Sequence, residues 1–177
     1  MSAAPRHAFV TGAGTGIGRA IAHSLARQGC IVTLAGRRAD PLDRVASEIE
    51  AAGGKAFAIP EFDVTSEERV AVGVKHAEEA LGDISVLVNC AGEAPSAPFE
   101  KTDLALWQHV IGVNLTGMFL VTKAALPSIK RGAAGRIVNV ASTAGLTGYA
   151  YVSAYCASKH GVIGMTRTMP VIQHRVF

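Results

Sequence analysis

Five short apolar runs punctuate the chain: His7–Thr11, Ile31–Ala35, Ala56–Ile59, Ile84–Val88 and Arg136–Val140. Several are rich in β-branched residues and bounded by Gly, Asp or Asn. Continuous apolar runs of this length predict strands buried on both faces. Between them, apolar positions recur every three or four residues, the helical period. Gly16–Gln28 carries Ile17, Ala20, Ile21 and Leu25 on one face, and Gly29 ends it. Pro41–Ala52 has Asp40 as the expected N-cap, Pro41 at the first helical position and Gly53 as its stop. Its core face is Leu42, Val45 and Ile49. Ser66–Leu81 follows Thr65, with Glu68 three residues on, a capping box. Asp103–Leu126 predicts one or two helices bent near Gly112–Gly117, and a last helix begins near Ser153. Strands alternating with helices imply parallel βαβ units, with crossovers on both faces of the sheet. The fold class expected is α/β, a doubly wound parallel sheet in three layers, in one domain spanning residues 1–177.

Composition narrows the function. Of 177 residues, 49% are apolar and 18% charged, which excludes a disordered, solvating chain. The net charge of +3 comes with no dense Lys/Arg tract, so nucleic acid is not the expected partner. Met1–His7 has no apolar signal core. The most apolar window, Val110–Pro127, is interrupted by Asn114, Thr116 and Lys123, so no membrane span is expected. Three cysteines without C-x-x-C spacing suggest a reducing, cytoplasmic setting rather than disulfides or zinc. The histidines show no ligand spacing, so no metal site is expected. Trp107, at a helical position, is expected in the core.

The first strand leads into Thr11-Gly12-Ala13-Gly14-Thr15-Gly16-Ile17-Gly18, which opens the first helix. Glycines there let the backbone turn sharply and approach a pyrophosphate, while the helix N-terminus offers free N–H groups. Gly12, Gly14, Thr15, Gly16, Ile17 and Gly18 are therefore expected to hold a dinucleotide. A P-loop signature is absent. In such a unit an acid near the end of the second strand binds the ribose hydroxyls. Here Gly36 stands at that place and Arg37-Arg38 follow. Guanidinium groups suit a phosphate dianion, which points to NADP(H) over NAD(H). Arg37 is expected on the 2′-phosphate and Arg38 on the adenine. Tyr155 and Lys159, four residues apart, share a helix face.

The loop spacing T-G-x-x-x-G-x-G, Asn89-Cys90-Ala91-Gly92 after the fourth strand, and Tyr155-x-x-x-Lys159 together resemble the short-chain dehydrogenase/reductase family. The likeness is closest to its single-domain branch, which includes 3-oxoacyl reductases, and runs from about His7 to Thr168. It implies that Tyr155 is the acid for reduction and the base for oxidation. Lys159 would favour the phenolate and hold the nicotinamide ribose. Ser142 would bond the substrate oxygen, and Asn114 would help order a water and proton path. Asp63 and Val64 match the pair that contacts adenine, although Asp63 also reads as a turn residue. Asn89, Ala91 and Gly92 would complete the cofactor set. The implied substrate is a ketone or secondary alcohol, most simply a 3-oxoacyl thioester. The implied assembly is a dimer or tetramer, with no membrane partner.

Two departures accompany the resemblance. Cys90 replaces the second asparagine of N-N-A-G, losing that side chain's hydrogen bonds. Cys156 beside Tyr155 is expected to pack, or else to be a thiol whose oxidation would block the site. After Thr168 the family pattern stops. Relatives add two strands with a substrate-covering segment between them, whereas residues 169–177 match nothing and Pro170 would interrupt the helix. The chain is thus expected to be C-terminally truncated, with the fifth strand at a sheet edge. The alternative reading is a catalytically incompetent nucleotide-binding or oligomer-interfering fragment.

Overall fold

A computed structural model describes residues 5–131, 134–169 and 175–176. The five expected strands form: β1 (His7–Thr11), β2 (Ile31–Ala35), β3 (Lys55–Ile59), β4 (Ile84–Asn89) and β5 (Arg136–Asn139). All pair in parallel, in the order β3-β2-β1-β4-β5. A two-residue strand, β6 (Arg175–Val176), adds outside β5 by pairing with Val138 and Asn139. The outer side of β5 is therefore partly covered, where an open edge was expected. Pro170 lies outside the described residues.

Among the described residues six α-helices accompany the strands: α1 (Gly16–Arg27), α2 (Ala39–Ala51), α3 (Glu67–Leu81), α4 (Leu104–Ile111), α5 (Gly117–Arg131) and α6 (Ser153–Arg167). Strand alternation sorts the two faces. Ala8, Val10, Val32, Leu34, Val86 and Val88 pack with Ala22 of α1 and Leu42, Val45 and Ile49 of α2. Phe9, Leu87 and Ile137 face the other way, onto Val70 and Val74 of α3 and Val121, Ala125 and Ile129 of α5.

Three expected helix details change. α2 begins at Ala39, so Asp40 sits in its first turn and Arg38 is the N-cap residue. α3 is capped by Ser66, whose hydroxyl accepts from Arg69 N at 3.3 Å, not by Thr65. The predicted bend is a π turn over Gly112–Thr116, so Leu104–Arg131 is one interrupted helix of 28 residues. Contrary to expectation, that helix is long and apolar enough to span a membrane. One such helix is weak evidence for a span, and its α5 part packs Val121, Ala125 and Ile129 into the core against the sheet. Trp107 is also not core: α4 turns it outward with 37% of its surface exposed, beside exposed Leu104.

A buried histidine lies in this framework. His7, 3% exposed, donates from Nδ1 to Gly82 O (2.8 Å) and accepts at Nε2 from Thr33 Oγ1 (2.8 Å). Burial holds its pKa below the ordinary value, against the Gly82 bond and nearby Glu78, which pull upward. A depressed folded pKa means that stability is fully present above the unfolded value of about 6.5 and is lost as pH falls. The melting temperature should therefore rise between about pH 5 and 7.5, and His7→Gln should flatten that slope. An unchanged slope in the variant would contradict the assignment.

Candidate active site

At the C-terminal ends of β1 and β4 the strand order reverses, and a crevice opens there between the loops. It has a volume of about 500 Å³. Its floor is the glycine loop. Gly12 has φ of +66°, and a Cβ on it would meet Ala91 Cα at 3.0 Å. A Cβ on Gly18 would lie 2.2 Å from Gly12 O, so α1 starts directly against the turn. No side chain fits between them, which leaves the loop amides and the α1 N-terminus facing the crevice.

Thr11, a residue the sequence left out of the site, joins this loop to the next strand. Its buried hydroxyl accepts from Cys90 N and Ala91 N, both at 3.0 Å. A threonine ending a strand just before the glycine turn was the available signal. The backbone of Cys90 is held in this way although the substitution removes an amide side chain. Its thiol lines the crevice near Lys159, and burial raises its pKa while the lysine pulls it down.

Arg37 and Arg38 line one end of the crevice, with Gly36, Phe62, Asp63 and Val64 around them. Asp63 forms the turn that the sequence allowed. Its carboxylate accepts from Thr65 N (2.9 Å) and Thr65 Oγ1 (2.8 Å), and it still lines the crevice. The Thr65 amide bond holds its pKa down, helped by the Thr65 hydroxyl and by Arg37 and Arg69, against a smaller burial effect.

Tyr155 and Lys159 line the opposite end, with Gly92, Glu93, Val113, Val140 and Ala141. Lys159 is only 5% exposed, and its Nζ stands 5.6 Å from the Tyr155 ring centroid. It donates to Val140 O at 2.7 Å. Burial depresses its pKa, and Cys90 opposes that weakly.

Three expected residues lie just off the crevice wall. Ser142 Oγ accepts from Ala144 N (3.1 Å), capping the short turn Thr143–Gly145 one residue beyond Ala141. Asn114 sits in the π turn, fully buried. Its Oδ1 accepts from Glu93 N (2.9 Å), and its Nδ2 donates to Glu93 O (2.8 Å) and Ser158 Oγ (3.2 Å). Asn89 turns inward, donating to Thr122 and Asn139 rather than facing the crevice. Cys156 is buried, with its sulfur accepting from Tyr149 N (3.4 Å), whereas Tyr149 and Tyr151 are exposed. Glu93, missed in the sequence, lines the crevice and pairs with His109 of α4. Nothing in its local pattern marked it.

The short chain dehydrogenase profile matches residues 6–174. This chain belongs to that family. Among relatives, a cis-4-hydroxycyclohexanecarboxylate dehydrogenase of Sinomonas cyclohexanicum is 42% identical over 95% of this chain and 67% of its own. A 3-oxoacyl-[acyl-carrier-protein] reductase of Synechocystis is 39% identical over 92% of this chain and 66% of its own. A crystal structure of an actinorhodin polyketide ketoreductase with NADPH superposes with a TM-score of 0.89 at 38% identity, covering 93% of this chain and 64% of that one. The chain spans 56% to 67% of the length of the curated relatives it matches. This short-chain dehydrogenase chain thus shares its fold with the solved relatives it superposes on.

Asn114 bridges π turn, loop and α6 in the interior, so its removal is felt as stability. Asn114→Ala leaves the Glu93 amide and carbonyl without their partner, at about 1–3 kcal/mol for each buried group. Thermal melts should fall by roughly 5–15 °C. A loss under about 0.5 kcal/mol would show that water replaces the side chain at no cost.

Proposed function

We propose that this chain forms the cofactor-binding and acid–base part of a cytoplasmic NADP(H)-dependent oxidoreductase. The reaction would interconvert a ketone, most simply a 3-oxoacyl thioester, and a secondary alcohol. The observation that carries the reading is the polarity of one crevice: two guanidinium groups at one end, a phenol and a buried ammonium at the other, glycines between. The donor set fits the cofactor. The glycine loop and α1 amides suit the pyrophosphate, Arg37 a 2′-phosphate, Arg38 the adenine, and Lys159 the ribose hydroxyls beside the nicotinamide. Asp63, Val64, Ala91 and Gly92 complete the walls, and Asn89, just before them at the end of β4, turns inward to Thr122 and Asn139. Bound NADP(H) supplies or accepts the hydride.

The chain's own groups handle the oxygen and the proton. Tyr155 donates its phenolic proton to the developing alkoxide in reduction and takes the hydroxyl proton in oxidation. The Lys159 ammonium favours the phenolate that remains. Ser142 would donate a second hydrogen bond to the same oxygen while its Oγ goes on accepting from the Ala144 amide. Asn114 fixes the π turn beneath this end and keeps a proton path in place. The ketoreductase bound to NADPH and the 3-oxoacyl reductase relative support the cofactor and substrate class. Exposed Leu104, Trp107 and Phe119 on one long helix support a homo-oligomer.

Oxidation of NADPH, followed by its absorbance with a panel of ketones and 3-oxoacyl thioesters, tests the reading. Tyr155→Phe should lower kcat by about a hundredfold or more while NADPH still binds. Unchanged turnover in that variant would remove Tyr155 as the acid. Arg37→Ala should weaken NADPH about tenfold to a hundredfold and leave NADH nearly untouched. Equal loss for both cofactors would sink the phosphate contact.

A further inference from the structure

Beneath the catalytic end runs a line of buried polar side chains that the chemistry above does not use. Alternation turns Asn89 and Asn139 toward α5 and α6, and the strand register sets the two side by side. Asn89 Nδ2 donates to Thr122 Oγ1 on α5 (2.9 Å) and to Asn139 Oδ1 (2.9 Å). Asn139 Nδ2 donates to Thr166 Oγ1 on α6 (2.9 Å), and that hydroxyl donates to Val162 O (2.6 Å). All four side chains are nearly inaccessible: Asn89 2%, Asn139 1%, Thr122 5%, Thr166 2%. Apolar side chains would fill this space without the desolvation penalty of buried amides and hydroxyls. What the polar line adds is direction.

Apolar packing tolerates small slides and rotations of a helix, whereas a hydrogen bond weakens steeply with angle and distance. Thr166 lies seven residues after Lys159, two turns along the same face of α6. On the other side of Lys159, Ser158 accepts from Asn114 (3.2 Å) and donates to Tyr155 O (2.7 Å). The helix is thus tied at two points that bracket the ammonium. Asn139 also immediately precedes Val140, whose carbonyl accepts the Lys159 proton at 2.7 Å. One residue therefore fixes both the strand that carries the acceptor and the helix that carries the donor.

We propose that Asn139 and Thr166 are positioning residues for the acid–base pair. Their hydrogen bond sets the rotation and axial position of α6 against β5, and so where Lys159 and Tyr155 stand in the crevice. The inference rests on the oxidoreductase reading for its consequence in turnover, so its first readout does not use turnover. Lysine labelled at Cε is followed by NMR across pH in the whole chain, with the Lys159 signal identified by its loss in Lys159→Arg. Thr166→Val keeps the shape and removes the hydroxyl. It should move the Lys159 titration up toward that of an exposed lysine, and Thr166→Ser should restore it. Asn139→Ala breaks the same bond from the strand side and should give the same movement. Thr122→Val removes a bond at the far end of the line. It should lower the melting temperature and leave the Lys159 titration in place.

In turnover, Thr166→Val should lower kcat about tenfold or more, with KM for NADPH within about twofold. If Thr166→Val and Asn139→Ala lower stability but leave the Lys159 titration where it was, the line is only structural and the proposal falls. If no variant and no wild-type sample turns over any carbonyl, the oxidoreductase reading fails, while the NMR result still decides the positioning role.

Discussion

The rest of the structure depends on one ammonium kept out of water. Lys159 is 5% exposed and, among the described residues, hydrogen-bonds to Val140 O. An ammonium withdrawn from water to this degree is disfavoured by several kcal/mol, and one carbonyl does not offset that. Burial accordingly pulls its pKa down. A fold carries such a group when the cation has work to do where it stands. Around it are a phenol at 5.6 Å, a thiol and an open crevice.

Everything nearby keeps that geometry. Strand alternation gives one face of β4 and β5 to apolar packing on α1 and α2, and the other to α3, α5 and α6. On the second face, apolar contacts give way to amides and hydroxyls at the strand ends, where position matters more than bulk. Thr11 ties β1 to the loop after β4. Asn114 ties that loop to the π turn and α6. These bonds cross from one element to the next at the crevice.

Much of this was legible in the residues. The strand runs were visible because strands buried on both faces are continuously apolar, and their observed ends differ by one residue at most. The Thr11–Gly18 loop and the Tyr155–Lys159 spacing led to two walls of one crevice. Helix starts were less legible. Thr65 and Ser66 are both good caps, and only the backbone decides that Ser66 accepts from Arg69. Pro41 fits the first helical position, yet it also fits the first turn that α2 begins at Ala39. Trp107 showed a helical period but not which side of α4 meets water. Asn89 belonged to a cofactor motif, and only the register with Asn139 reveals its inward turn. Glu93 and β6 depend on contacts between distant segments, which no local pattern encodes.

On the proposed function, hydride and proton meet the same carbonyl at the Tyr155–Lys159 end of this crevice. A single-turnover reaction with NADPH deuterated at the transferring position of the nicotinamide tests it directly, using a 3-oxoacyl thioester and mass analysis of the product. The account predicts one deuterium on the carbinol carbon, a hydroxyl proton drawn from solvent, and no product from Lys159→Met. Reduction without deuterium at that carbon, or undiminished deuterium transfer by Lys159→Met, would contradict it.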